Sequence, residues 1–73
     1  MSKAVYKNLE AEIKRNDINK GALAKMLGFS RWALYDRLTG VTPFTFDETQ
    51  AIRAYIECKS GKHLELDYLF ERT

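Results

Sequence analysis

One short stretch in the N-terminal half constrains the fold more than any other part of the chain. Asn19 and Ser30 are residue types that cap helices, because their side-chain oxygens accept free backbone N–H groups. Gly28 lies between them and can adopt the left-handed conformation that ends a helix. This spacing predicts a helix over 20–27, a tight turn, and a second helix over 31–39.

Both predicted helices contain apolar residues at helical spacing. Leu23 and Leu27 lie on one face of the first helix, and Leu34 and Leu38 lie one turn apart on the second. Gly40 then ends the second helix. Two short helices joined by a tight turn form the arrangement that presents its second helix to the major groove of DNA.

These residues resemble the helix-turn-helix domain of the phage Cro and C1 repressors and their bacterial relatives. In that family a polar cap precedes Gln, Leu-Ala, a Leu-Gly-hydrophobic-Ser turn, and a recognition helix that ends near Gly. The matching residues are Leu23, Ala24, Leu27, Gly28, Phe29, Ser30 and Gly40. Two positions depart from the pattern: Lys20 stands where the family often has Gln, and Leu38 replaces Arg37 as the second buried residue of the recognition helix.

The resemblance spans about residues 9–70, and the sequence Leu-Asp-Tyr-Leu-Phe at 66–70 is similar to a phage-type subgroup. It implies a lambda repressor-like DNA-binding domain in a transcriptional regulator of a phage or prophage. It also implies that the second helix of the pair reads double-stranded DNA.

The remaining pattern predicts three more helices. Val5, Leu9 and Ile13 give an apolar face to a first helix over about 3–15, and Ile18 precedes the second helix as an apolar plug. Thr45 and Glu48 fit a capping box that opens a fourth helix, which ends near Gly61. Its expected inner face comprises Phe46, Ile52, Tyr55 and Ile56. A short fifth helix is expected to cover the core with Leu64, Leu66, Leu69 and Phe70.

No segment shows the alternation of a β-strand. The predicted fold is therefore all-α, a compact bundle of about five helices with a helix-turn-helix, in a single domain over residues 1–73.

The net charge of +2 is small but unevenly distributed. Residues 1–40 contain eight Lys or Arg against four Asp or Glu, whereas residues 41–73 contain four against six. The positive half holds the predicted helix pair, which favours attraction to phosphate. Such asymmetry also arises by chance in short chains.

The composition predicts a cytoplasmic protein. The single Cys cannot form an internal disulfide, no apolar run reaches the roughly 20 residues that cross a bilayer, and the N-terminus lacks the apolar core of a signal peptide. Cys58 and His63 are too few for a zinc site, and a chain this small offers no cleft for a Cys–His nucleophile. We expect a packed Cys58, a surface His63, no enzyme, no cofactor and no small-molecule substrate.

Base recognition is expected from the second helix of the pair. With Leu34 and Leu38 facing inward, Trp32 and Asp36 lie nearly opposite. Arg31, in the first turn, either donates two hydrogen bonds to one guanine, contacts a phosphate, or remains solvated.

Three neighbouring side chains allow more than one interpretation. Trp32 packs a thymine methyl, lies along the sugar-phosphate wall, folds over Phe29, or packs against a partner protein. Tyr35 donates its hydroxyl to a phosphate or is half-buried beside Leu38. Asp36 accepts from a cytosine amino group, rejects wrong sequences by repulsion, or pairs with a neighbouring cation.

Phosphate contacts are expected around this helix. Asn19 and Lys20 lie at a helix N-terminus, whose backbone N–H groups hold phosphate, whereas Lys14 and Arg15 are placed too far away. Arg37 either binds phosphate or is solvated. The complete predicted DNA-binding set is Asn19, Lys20, Ser30, Arg31, Trp32, Tyr35, Asp36, Arg37, Thr39 and Thr42.

The sequence thus predicts a sequence-specific regulator that binds double-stranded DNA, as a homodimer on two half-sites. The alternative is a protein-binding modulator with the same fold, an antirepressor that captures another regulator. Salt dependence distinguishes the two, because phosphate contacts release counterions.

Overall fold

The computed structural model describes residues 5–72, and within this range the chain is all-helical with no strand. This confirms the all-α fold class. The helices are α1 (Lys7–Arg15), α2 (Lys20–Leu27), α3 (Arg31–Leu38), α4 (Phe46–Ser60) and α5 (Leu66–Leu69). They pack into a body of 30 × 26 × 23 Å, in which α2 contacts α3 and α4, and α5 contacts α1 and α4.

Local capping sets the ends of α2 and α3. The Asn19 side chain accepts a hydrogen bond from the Ala22 N–H at 3.1 Å, and the Ser30 hydroxyl accepts one from the Ala33 N–H at 3.1 Å. Gly28 ends α2 in the left-handed conformation, with a φ of 78°. These three predictions are confirmed, and α3 ends one residue earlier than expected.

The predicted first helix begins too early. Its residues 3 and 4 lie outside the described range, but Val5 and Tyr6 precede α1. The Tyr6 backbone is not helical, and its ring packs edge-on against Phe44 and Phe70, with centroids 5.4 and 6.0 Å away. An aromatic cluster of Tyr6, Phe44 and Phe70 therefore holds the segment before α1.

The core forms where all five helices meet. Its buried apolar residues are Tyr6, Leu9, Ile13, Ile18, Leu23, Ala24, Leu34, Leu38, Ile52, Ile56, Leu64 and Leu69. The predicted plug at Ile18 and the leucine pair of α3 are thereby confirmed. Thr45 and Glu48 form the predicted capping box, and Gly61 ends α4 in the left-handed conformation.

Two expectations about α4 are wrong. Phe46 is 68% exposed rather than on the inner face, and Cys58 is exposed rather than packed. The helix advances 100° per residue, so Cys58 lies roughly 200° from Ile56 and faces away from the core. Phe46 occupies the first turn, off the Ile52–Ile56 side.

A polar contact joins the two ends of the described chain, and we call it the α1–α5 clasp. The Tyr68 hydroxyl donates to the buried Glu12 carboxylate at 2.9 Å, and the Asn8 side chain donates to the Tyr68 carbonyl at 2.8 Å. Arg15 also pairs with Glu12. Burial alone raises the pKa of Glu12, but hydrogen bonds from Tyr68 and Arg15 outweigh it and lower that pKa below 4.5.

None of the helices in residues 5–72 combines the length and the apolar content that crossing a bilayer requires.

Candidate nucleic-acid interface

The outer face of α3 is open to solvent. Leu34 and Leu38 are buried on the inner side, as their one-turn spacing predicts. Trp32 is 78% exposed and Tyr35 is 47% exposed, so two aromatic rings stand outside the core. Tyr and Trp are enriched at interfaces, because each ring combines an apolar body with a polar group.

Arg31 and Asp36 add free charges to this face. Arg31 is exposed and has no hydrogen bond or ion pair with any other described residue. The Asp36 carboxylate is likewise unpaired within residues 5–72, although its backbone carbonyl accepts from the N–H groups of Val41 and Thr42 at 2.9 and 3.1 Å. The predicted local pair between Asp36 and a basic side chain therefore does not form.

Arg37 lies outside this open face and is mostly buried, so the predicted solvated role is wrong. Its Nε donates to Glu48 at 3.0 Å and its Nη1 donates to the Ala33 carbonyl at 3.1 Å. The guanidinium also lies 4.0 Å above the Phe29 ring centroid, and the side chain is only 18% exposed. The structure thus assigns Arg37 to the junction of α3 with α4 and the turn before α3, because three partners converge on it there.

Glu48 completes this junction. It accepts from both Arg37 and the Thr45 backbone N–H at 3.0 Å. Burial raises the pKa of Glu48, but the Thr45 and Arg37 hydrogen bonds outweigh that effect and lower the pKa below 4.5. The carboxylate therefore stays ionised and fixes α3 against the start of α4.

The residues predicted to contact phosphate differ in the hydrogen-bond donors that remain free. The Thr39 hydroxyl already donates to the Tyr35 carbonyl at 2.9 Å, so its hydrogen is not free. Asn19 and Ser30 use only their oxygen atoms as caps, which leaves the Asn19 amide N–H groups and the Ser30 O–H available. Thr42 is partly exposed and its side chain has no partner in the described residues.

Lys20 lies beside α1 rather than standing alone. Its ammonium is 2.8 Å from the Glu10 carboxylate, and both line a shallow hollow on the α1 side of the molecule. The lining residues are Lys7, Glu10, Ala11, Ile13, Lys14 and Lys20. Lys7 and Lys14 have no acidic partner in residues 5–72.

Sequence reasoning missed these two lysines. The sequence-based expectation places Lys14 too far from the helix pair. The seven-residue spacing of Lys7 and Lys14, which puts both on one face of α1, was the signal that could have identified them. Three lysines and one carboxylate line the hollow, and Lys20 is the first residue of α2. An excess of positive charge beside a helix N-terminus favours an anion.

The remaining candidates for chemistry are sparse. His63 is exposed, as predicted, and lies 3.1 Å from Glu57 and 3.3 Å from Glu65. Within the part of the chain that is described, no three His, Cys, Asp or Glu side chains form a group that could hold a metal.

No family model, no curated protein and no solved structure matches this chain. Its function is therefore inferred from the residues of the helix pair and their surroundings.

Proposed function

We propose that this chain is a sequence-specific regulator that binds double-stranded DNA, with α3 in the major groove. The observation that carries the proposal is the open face of α3, where an unpaired Arg31 lies beside an exposed Trp32. Both helices of the pair are capped, and Gly28 forms the turn between them. The open face therefore lies on the second helix of the pair, which is the helix that a helix-turn-helix docks in the groove. The resemblance to Cro and C1 repressors supports the same reading.

Backbone contacts would come from the N-terminus of α2 and from the lysine hollow. Asn19 offers amide donors there, and Lys20 exchanges its Glu10 partner for a phosphate. Lys7 and Lys14 extend the positive surface along α1. Each phosphate contact contributes about −0.9 to the slope of log affinity against log salt.

A homodimer on DNA is part of the proposal. A single short recognition helix buries little surface and binds weakly, so two copies are expected on half-sites roughly 34 Å apart. The contact would come from α4 or the C-terminal segment. Phe46, exposed at the first residue of α4, supplies a large apolar side chain there.

The test is an NMR titration of isotope-labelled protein with duplex DNA carrying its own promoter, at two salt concentrations. We expect shifts for Lys20 and for residues 31–42, and an affinity that falls steeply with salt. An absence of shifts at low salt would contradict the proposed DNA binding.

Lysine variants sharpen the same titration. Replacing Lys7 and Lys14 by Gln should reduce the salt slope by about 1.8, since two phosphate contacts are lost. The matched control replaces Lys25 and Lys62, which are exposed and unpaired in residues 5–72. It changes the net charge equally and should leave the slope nearly unchanged.

A protein-binding modulator is the second candidate. The exposed apolar side chains Trp32, Tyr35, Val41 and Phe46 favour it, because apolar and aromatic patches suit protein partners. The unpaired Asp36 adds repulsion toward phosphate. A protein complex need not show the log-linear salt dependence that DNA binding requires, so the titration separates the two functions.

A further inference from the structure

Few polar side chains of α3 are free to bond base edges. Arg37 is committed to Glu48 and Ala33, and the Thr39 hydroxyl is committed to the Tyr35 carbonyl. Arg31 is the one guanidinium of α3 that has all five of its N–H donors unused in the described structure. Hydrogen bonds from α3 can therefore distinguish only a few base pairs.

Trp32 adds an exposed apolar surface to this helix. It does not fold over Phe29: the two rings make no contact, and the Arg37 guanidinium lies over one face of Phe29. The indole has no ring partner among residues 5–72 and is 78% exposed. Its position nearly opposite Leu34 and Leu38 directs it toward the floor of a groove rather than toward its walls.

Among the base edges of the major groove, only one group is apolar and so suited to contact an indole. Guanine, cytosine and adenine present only hydrogen-bond donors and acceptors there, whereas thymine also presents its C5 methyl. An apolar side chain directed at the groove floor therefore distinguishes thymine from the other bases. The neighbouring Arg31 has the fork of donors that fits guanine O6 and N7.

We propose that α3 selects its site mainly through contact of Trp32 with thymine methyl groups, next to a guanine bound by Arg31. This inference rests on the proposed DNA-binding function and specifies the operator chemistry. Asp36 limits the choice further, because a carboxylate only accepts hydrogen bonds and is repelled by an edge that presents only acceptors.

The experiment is a binding selection from a randomised duplex pool prepared in two forms, one with thymine and one with deoxyuridine. The second form lacks only the C5 methyl. We expect the thymine pool to enrich a motif with thymines beside a guanine. The selected duplex rebuilt with deoxyuridine should bind about fourfold more weakly for each methyl that Trp32 buries.

Two variants assign the methyl effect to its residue. Trp32→Ala should bind the thymine and deoxyuridine duplexes equally, and its exposed position predicts an unchanged melting temperature. Met26→Ala removes an exposed apolar side chain outside α3 and should keep the full difference.

The outcomes separate the inference from the function on which it rests. No enrichment in either pool would overturn sequence-specific DNA binding, and the inference with it. Enrichment with equal affinity for the two duplexes, or a thymine preference that survives in Trp32→Ala, would overturn the inference alone.

Discussion

The α2–α3 pair and the α1–α5 clasp hold their helices in opposite ways. In the pair, each helix begins at a cap whose bond spans three residues, at Asn19 and Ser30. In the clasp, α5 has four residues and no side-chain cap. The hydrogen bonds of its Tyr68 reach back to Asn8 and Glu12, 60 and 56 residues away.

This difference separates the exposed face of α3 from the closure of the core. The start of α3, which carries Arg31 and Trp32, is set by a local cap, whereas α5 has no such cap and is helical because of what it packs against. Short isolated helices are marginal in water, so α5 depends on tertiary contacts more than α3 does. Variants in each region should therefore have different consequences.

The largest effect is expected from truncating the buried leucines of the two regions. Leu34→Ala should lower the free energy of unfolding by about 2–5 kcal/mol, because it leaves a cavity in the core. Leu69→Ala should fall at the lower end of that range, since α5 can fray locally. Urea denaturation measures both, and hydrogen exchange should show early opening of α5 only in the second variant. An unchanged melting temperature for Leu34→Ala would contradict its place in the core.

Next come the two arginines of α3, which the structure separates into surface and junction. Arg31→Ala should weaken binding to the specific site by about 1–3 kcal/mol without changing the melting temperature. Arg37→Ala should instead lower stability by about 1–3 kcal/mol, because Glu48 loses a charged hydrogen-bond donor. Fluorescence anisotropy and thermal denaturation measure the two effects. An equal loss for Arg31→Ala on every DNA sequence would reduce it to a phosphate contact.

Removing the α3 cap should have a smaller effect. Ser30→Ala should cost about 1 kcal/mol of stability, because the Ala33 N–H loses its acceptor. Glu65→Ala is the matched control, since Glu65 precedes α5 without capping it. If both variants lose equal stability in urea, local capping does not distinguish the two regions.

The smallest effect concerns pH. The lowered pKa values of Glu12 and Glu48 mean that their ionised forms stabilise the fold above the ordinary pKa of 4.5. This contribution is lost as pH falls through the lowered values. Glu12→Gln should therefore reduce the loss of stability between neutral pH and acid, as measured by urea unfolding at each pH. An identical acid sensitivity in the variant would show that Glu12 makes no such contribution.

The sequence predicted best what local chemistry decides. The bounds of α2, the start of α3 and the capping box at Thr45 agree with the structure, because each depends on residues within one turn. The leucine pair of α3 follows from helical spacing alone. The DNA-facing role of the outer surface remains a prediction.

Distant contacts account for what the sequence did not reveal. Glu48 binds Arg37 from eleven positions away, and helical phase on α3 alone gives no sign of that partner. Tyr6 leaves the predicted first helix because Phe44 and Phe70 hold its ring. The buried Glu12 likewise depends on Tyr68, whose place is set only after α5 packs.

The aromatic cluster has a consequence for synthesis on the ribosome. Tyr6 emerges early, but its ring partner Phe70 is added after α4 is complete. Domain folding during translation proceeds as the chain lengthens, and bringing distant residues together costs loop entropy that later contacts must offset. The α2–α3 pair can therefore form while the chain is still attached, whereas the cluster and the Glu12–Tyr68 bond close last. A nascent chain stalled before residue 66 would present a formed α3 above an uncovered core.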